Sequence, residues 1–223
     1  IMTRKAFENA VIVASAIGGS SNCTTHLSAI AKHMGIKFDL SNWQKLGHEI
    51  PLLVNCQPAG EYLMESFYRA GGVPAVMQEL IKHKKIHTKI MTVSGKTVGN
   101  NLKRKIETDK KVIKPFEDCL TEKAGFLVMK SNFFKSAIMK TSVISKDFRE
   151  RYLSNPKQPN AFVGKAVVFE GPEDYHKNIN NKKLNIDENS ILIIRGCGPV
   201  GYPGAAEVVN MQPPSHLLKK GIN

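Results

Sequence analysis

This sequence lacks several features that would assign a function quickly. No apolar run approaches the ~20 residues needed to cross a bilayer. The first residues show none of the charged, apolar and cleavage-site succession of a secretory signal. No membrane partner is expected, and the expected setting is cytoplasmic. Cysteine is sparse: Cys23, Cys56, Cys119 and Cys197 are widely and irregularly spaced, with no CxxC pair and no Cys–His cluster of zinc spacing. That pattern reads as free thiols in a reducing compartment. Acidic residues are scarce between positions 80 and 115, where eleven lysines or arginines face only Glu107 and Asp109. No aromatic side chain is interleaved with these charges, so a base-stacking platform for single strands is missing. Nucleic acid is not the expected partner, and the bland reading is a solvated lysine-rich face.

What is present is enough to fold. Hydrophobic residues make up 42% of 223, a proportion that supports a sizeable core, and the formal net charge is +13. The chain opens on Ile1 rather than Met and stops at Asn223 shortly after a new apolar and basic stretch. It is read here as an internal piece of a longer protein.

The segment from Arg4 carries a helical pattern that breaks at Gly18-Gly19-Ser20-Ser21-Asn22. A second helical pattern follows, with Leu27, Ile30, Ala31 and Met34 on one face and Gly35 as its stop. Two helices meeting at a double glycine leave backbone N–H groups free for an anion or a close ligand, or simply pack together. Ser41 is expected to cap a short helix through Trp43 and Leu46. Residues 50–55 read as a buried strand, and 73–83 as an amphipathic helix with Pro74 in its first turn. His83 and His87 stand four apart, but the surrounding lysines disfavour a divalent cation and favour a solvated face.

Beyond residue 88 the texture changes to a hairpin around Ser94-Gly95 and to short strands at 125–130, 137–144, 164–170 and 190–195. The Ser-Gly-Lys-Thr at 94–97 is not a P-loop, because Ile90 occupies the place of its first glycine. The expected fold class is therefore an α/β N-terminal part, residues 1–110, followed by a mainly β part, residues 111–223.

The densest unusual stretch runs from Arg195 to Glu207, with four glycines and two prolines leaving an apolar strand. Backbone in such a loop can approach a ligand closely. Arg195 suits a carboxylate, and Glu207 is a hard oxygen donor suited to Mg²⁺. An elaborate surface turn is the competing reading.

Seven stretches in order carry a family resemblance: AFENAVIVASAIGGSSNCTTHLSAIAKH at 6–33, IPLLVNCQPAGEY at 50–62, YRAGGVPAVMQEL at 68–80, AIMKTSVIS at 137–145, FRERYLSNP at 148–156, AVVFEGPEDYH at 166–176 and RGCGPVGYPGAAEVVNMQPP at 195–214. Together they resemble the dihydroxy-acid and phosphogluconate dehydratase family, especially its aldonate branch. The resemblance implies the end of an α/β/α parallel-sheet domain followed by a truncated, barrel-like β domain. It implies a homo-oligomer, dimer or tetramer, acting on a small sugar acid such as arabinonate or xylonate. The implied reaction is loss of water to a 2-keto-3-deoxy acid, with a [2Fe-2S] cluster as Lewis acid at the leaving hydroxyl and Mg²⁺ on the carboxylate and C2 hydroxyl.

Of the family's metal ligands only Glu207, in Gly201–Glu207, has a matching position here. The cluster cysteines and a modified lysine fall upstream of Ile1, and the serine that serves as base falls beyond Asn223. Cys23, Cys56 and Cys197 stand where relatives have other residues, and Ser21 replaces a more usual threonine. The chain by itself is thus expected to be inactive. The alternatives are a dihydroxy-acid dehydratase of branched-chain amino-acid synthesis and, in another class, a polyanion-binding module without catalysis.

Overall fold

The computed structural model describes residues 1–130, 132, 135–152, 156–157, 163–197 and 211–222. By contacts the chain divides into two compact units, Ile1–Ile144 and Ser145–Asn223.

The first unit is built on helix α1, Arg4–Ala16, whose N-cap Thr3 accepts a hydrogen bond from the Ala6 N–H. Phe7, Val11 and Ala14 recur at helical spacing and are buried on one side, while Ile12 and Ala16 turn to a second core. Helix α2, Asn22–His33, follows the glycine corner. Met34 closes it and Gly35, at φ +67°, carries the left-handed turn out. Helix α3, Leu40–Gly47, starts on a capping box made by Asp39 and Asn42. The expected cap, Ser41, instead lies inside the helix and donates its hydroxyl to the Asp39 carboxylate, which is the stronger acceptor. Helices α4, Met64–Arg69, α5, Gly72–Lys82, and α6, Val98–Asn101, complete the helical part.

Residues 50–55 are extended and buried, as their apolar run predicts, but they form isolated bridges rather than a strand in a parallel sheet. Leu52 pairs with Thr121 and Val54 with Ile113, both antiparallel. The reason is local supply: the 112–124 segment lies alongside, and its backbone satisfies Leu52, Leu53 and Asn55 directly. Strands β1, Phe126–Met129, and β2, Ala137–Lys140, pair antiparallel with Phe126 opposite Lys140. Trp43 of α3 meets Phe126 of β1 edge to face, ring centroids 5.0 Å apart, in a core shared with Phe7, Val11 and Phe38. The 92–97 hairpin forms as expected, with the Thr92 N–H donating to Lys96 O and Gly95 at φ +72°. Buried Asn9 of α1 clasps the backbone of His87 in both directions, at 2.9 and 2.7 Å.

The second unit holds helix α7, Lys146–Tyr152, strand β3, Lys165–Phe169, helix α8, Pro172–Asn178, strand β4, Ser190–Ile194, and helix α9, Ser215–Leu218. Strands β3 and β4 pair in parallel, Lys165 to Ser190 through Phe169 to Ile194, with α8 in the connection between them. Phe169 and Tyr175 stack edge to face over Ile179, Ile186 and Leu217. The whole is a mixture of helix and strand. Among the described residues the strands make two two-stranded sheets and no closed barrel, and no helix is long and apolar enough to cross a membrane.

Candidate functional site

The glycine corner between α1 and α2 borders an open cleft of about 630 Å³. Gly18 sits at φ +65°, where a side chain would be strained, and a Cβ there would press to 2.8 Å from Leu52 Cδ1. Gly19 is held in turn by its N–H bond to Ala14 O, at 2.7 Å. The corner presents Ser20 and Ser21, both exposed, to the cleft. Ser20 Oγ accepts from the Asn22 N–H at 3.2 Å, whereas Ser21 makes no side-chain cap despite standing at the N-cap position.

The opposite wall comes from residues far away in sequence. Buried Asn55 fixes the 57–61 turn by accepting from the Glu61 N–H and donating to Lys111 O, which sets Gln57 at the rim. Phe67 of α4 and Val54 supply apolar surface. Lys140, the last residue of β2, lines the same cleft. Burial pushes the Lys140 ammonium below its ordinary pKa, and Cys23 works in the opposite direction without cancelling it. Burial likewise raises the thiols of Cys56 and Cys119. Both are poor nucleophiles in that state. All four cysteines are free thiols.

Sequence reading singled out the glycine corner but not Lys140. The signal was a lone lysine closing an apolar strand, Ala-Ile-Met-Lys, with nothing in the sequence to say what faces it.

A second constellation contains His83, which the sequence alone places with His87 on a solvated face. Glu79, His83 and Glu117 bring one ligand-type atom each within 4.8 Å of one another. His83 also stacks on Phe116, centroids 4.4 Å apart. The trio is satisfied without a metal: Lys82 bonds Glu79 Oε2 at 2.6 Å, and the Phe116 N–H donates to Oε1 at 3.1 Å. Burial opposes ionisation of Glu79, but Lys82, the Phe116 N–H and His83 outweigh it and hold the carboxyl below the ordinary glutamate range. A depressed folded value means the stabilisation is complete above that range and fades as pH falls through the folded value. Glu79→Gln should therefore be about 1 kcal/mol less stable than the parent at neutral pH. Urea unfolding at a series of pH values should show this gap closing as the pH falls below the ordinary glutamate range. His87 lies apart from His83 and pairs with Glu8 at 2.8 Å.

Arg195, expected to take a carboxylate ligand, is engaged by Glu170 at 2.7 Å on the surface of the second unit. Glu207 lies outside the described residues, as does most of its loop. No cysteine belongs to any group of three or more potential metal ligands among the described residues. They therefore do not fit an iron–sulfur cluster by themselves.

Two family models account for nearly all of the sequence. The Dihydroxy-acid/6-phosphogluconate dehydratase N-terminal model matches residues 1–101, and the corresponding C-terminal model matches residues 111–223. Residues 111–144 thus match the second family model while packing in the first compact unit. The chain is 54% identical over 222 residues to D-xylonate dehydratase of Caulobacter vibrioides. It is 44% identical over 225 residues to L-arabinonate dehydratase of Rhizobium leguminosarum bv. trifolii, and 37% over 224 to L-arabonate dehydratase of Azospirillum brasilense. Each alignment covers 100% of this chain but only 37%, 37% and 36% of the respective relative. From one family model followed by the other in order, the chain belongs to the dihydroxy-acid/6-phosphogluconate dehydratase family.

Proposed function

We propose that this chain serves, within a protein of its relatives' length, a hydro-lyase that dehydrates a sugar acid such as xylonate or arabinonate to its 2-keto-3-deoxy acid. The observation that carries this reading is the 54% identity to a xylonate dehydratase across all of the chain. The cleft agrees with it, since Lys140, the one charged side chain among the residues that line it, suits an acid substrate.

The proposed cofactors are Mg²⁺ and a [2Fe-2S] cluster, which when bound would withdraw charge from the substrate's carboxylate and leaving hydroxyl. Glu207 is the proposed Mg²⁺ ligand on this chain. The cluster's ligands would come from outside it, so no step is assigned to the cluster through the described residues. The proposed base, a serine, likewise falls outside this chain. The two family domains are proposed to divide near residue 110, and the second to be barrel-like in the longer protein. The assembly is proposed to be a homo-oligomer in the cytoplasm, which sedimentation of the longer protein would check.

The experiment is turnover by the longer protein after anaerobic cluster reconstitution with Mg²⁺, with D-xylonate, L-arabinonate and a branched-chain 2,3-dihydroxy acid offered in parallel. A 2-keto product from a sugar acid is expected. Turnover of the branched-chain acid alone would replace this reading with the dihydroxy-acid dehydratase. Inactivity on all three, combined with salt-steep binding to DNA or RNA, would replace it with a polyanion-binding module.

A further inference from the structure

We propose that Glu79, His83 and Glu117 form a binding site for a transition-metal dication of the Zn²⁺ type, which clasps helix α5 to the segment that follows residue 110. The proposal does not rest on the dehydratase reading and uses neither of the cofactors named there.

Glu79 and His83 stand four apart on α5, so one helix face carries both. Glu117 comes from a 3₁₀ turn, Phe116–Asp118, far along the chain. His83 Nε2 lies 3.6 Å from Glu79 Oε1 and 3.2 Å from Glu117 Oε1. One ligand-type atom from each of the three falls within 4.8 Å of the others. Bonds of about 2.0–2.2 Å in a tetrahedron set neighbouring ligand atoms roughly 3.3–3.6 Å apart. Small side-chain shifts bring this trio to that spacing. An imidazole with two carboxylates suits Zn²⁺ and its neighbours rather than Mg²⁺ or Ca²⁺, which favour oxygen alone. The two carboxylates balance the charge of the ion, and the fourth position is left to water.

The contacts already described orient these groups without using up their metal-binding lone pairs. Lys82 takes Glu79 Oε2 rather than Oε1. The Phe116 N–H uses one lone pair of Oε1, which has a second. Stacking on Phe116, with the rings 14° from parallel, fixes the plane of the His83 imidazole. Such outer support is what holds metal ligands in place. Of the lysines around His83, Lys82 is engaged by Glu79, Lys85 lies over the Phe116 ring at 5.5 Å, and Lys84 is exposed. Glu79 and His83 are 12% and 25% exposed, whereas Glu117, at 71%, stands on the solvent side where an ion enters from a cleft of about 740 Å³.

The placement gives the ion a role. Glu79 and His83 fall in the part matched by the N-terminal family model and Glu117 in the part matched by the C-terminal one, while all three pack in the first compact unit. The ion is a clasp across that junction. It secures the 112–124 segment, whose backbone bonds to residues 50–55.

The test is titration of the full 223-residue chain, freed of metal with EDTA, with zinc chloride. Calorimetry and histidine ring resonances are the readouts, with magnesium chloride for comparison and Co²⁺ as an absorbing probe. One equivalent of Zn²⁺ should bind saturably, perturb the His83 ring and raise the melting temperature as its concentration increases. Bound Co²⁺ should show ligand-field bands without thiolate charge transfer, because no cysteine is a ligand. Glu117→Gln should weaken Zn²⁺ binding at least ~10-fold, the low end of what losing even an outer partner of a ligand costs. Its metal-free melting temperature should match the parent's, since the carboxylate it replaces is exposed. His83→Gln should weaken binding at least as much. No saturable Zn²⁺ binding, unchanged affinity in Glu117→Gln, equal binding of Mg²⁺, or a thiolate charge-transfer band would each overturn the proposal. Turnover is not measured, so failure here leaves the dehydratase reading standing.

Discussion

Replacing Trp43 with alanine should remove about 3–5 kcal/mol of stability, the range for deleting a large aromatic side chain from a packed core. Trp43 has no exposed surface and makes an edge-to-face contact with Phe126, at 86° between ring planes. The loss is large against the ~5–15 kcal/mol that holds an ordinary domain together. A second variant separates packing from polarity. Trp43 Nε1 is buried without a partner among the described residues, a defect that costs on the order of 1–3 kcal/mol. Trp43→Phe gives up ring volume but removes that orphaned donor, so its cost should be less than half that of the alanine variant. Urea midpoints at constant slope check both. Equal destabilisation by the two variants would contradict the packing described here.

The consequence reaches the cleft. Phe126 lies opposite Lys140 in the β1–β2 pairing, so the Trp43 contact fixes the strand that places Lys140 at the cleft.

Gly125→Ala should cost at least ~3 kcal/mol, at the severe end of overpacking. A Cβ on Gly125 would run into the carbonyl oxygen of Gly47, with the Gly47 carbon at 2.5 Å and the His48 nitrogen at 3.1 Å. Those are backbone atoms at the end of α3 and cannot rotate aside. Neither can β1 retreat easily, because Gly125 O accepts both the Thr141 N–H at 3.1 Å and the Thr141 hydroxyl at 2.8 Å. Gly35→Ala is the control: it has open space around it but sits at φ +67°. It should cost only about 1 kcal/mol, the strain of a left-handed residue. Thermal melts of the two variants measure the difference directly, and a Gly125 variant as mild as the Gly35 one would refute the close approach.

Much of this protein could be read from local pattern. The 3–4 spacing of Phe7, Val11 and Ala14, the break at Gly18-Gly19 and the start of α5 beside Pro74 are short-range signals, and the helices follow them. The same holds for the Ser94-Gly95 turn and the four short strands, whose β-branched and apolar residues sit between breaks. Where two local signals competed, the stronger acceptor won, as Asp39 did over Ser41 at the cap of α3.

The sequence by itself determined the family, because membership is written in ordered motifs, and it marked the glycine corner as a place where backbone is exposed. Tertiary structure decided what that corner faces. Lys140 reaches it only because β2 pairs with β1, and β1 is pinned by Trp43 and Gly47, some eighty residues earlier in the chain. It likewise decided that residues 50–55 bond to the 112–124 segment, and that His83 lies between Glu79 and Glu117 rather than beside His87. In each case the partner is distant in sequence. Long-range pairing depends on the summed packing of both segments, and no periodicity within either one encodes it.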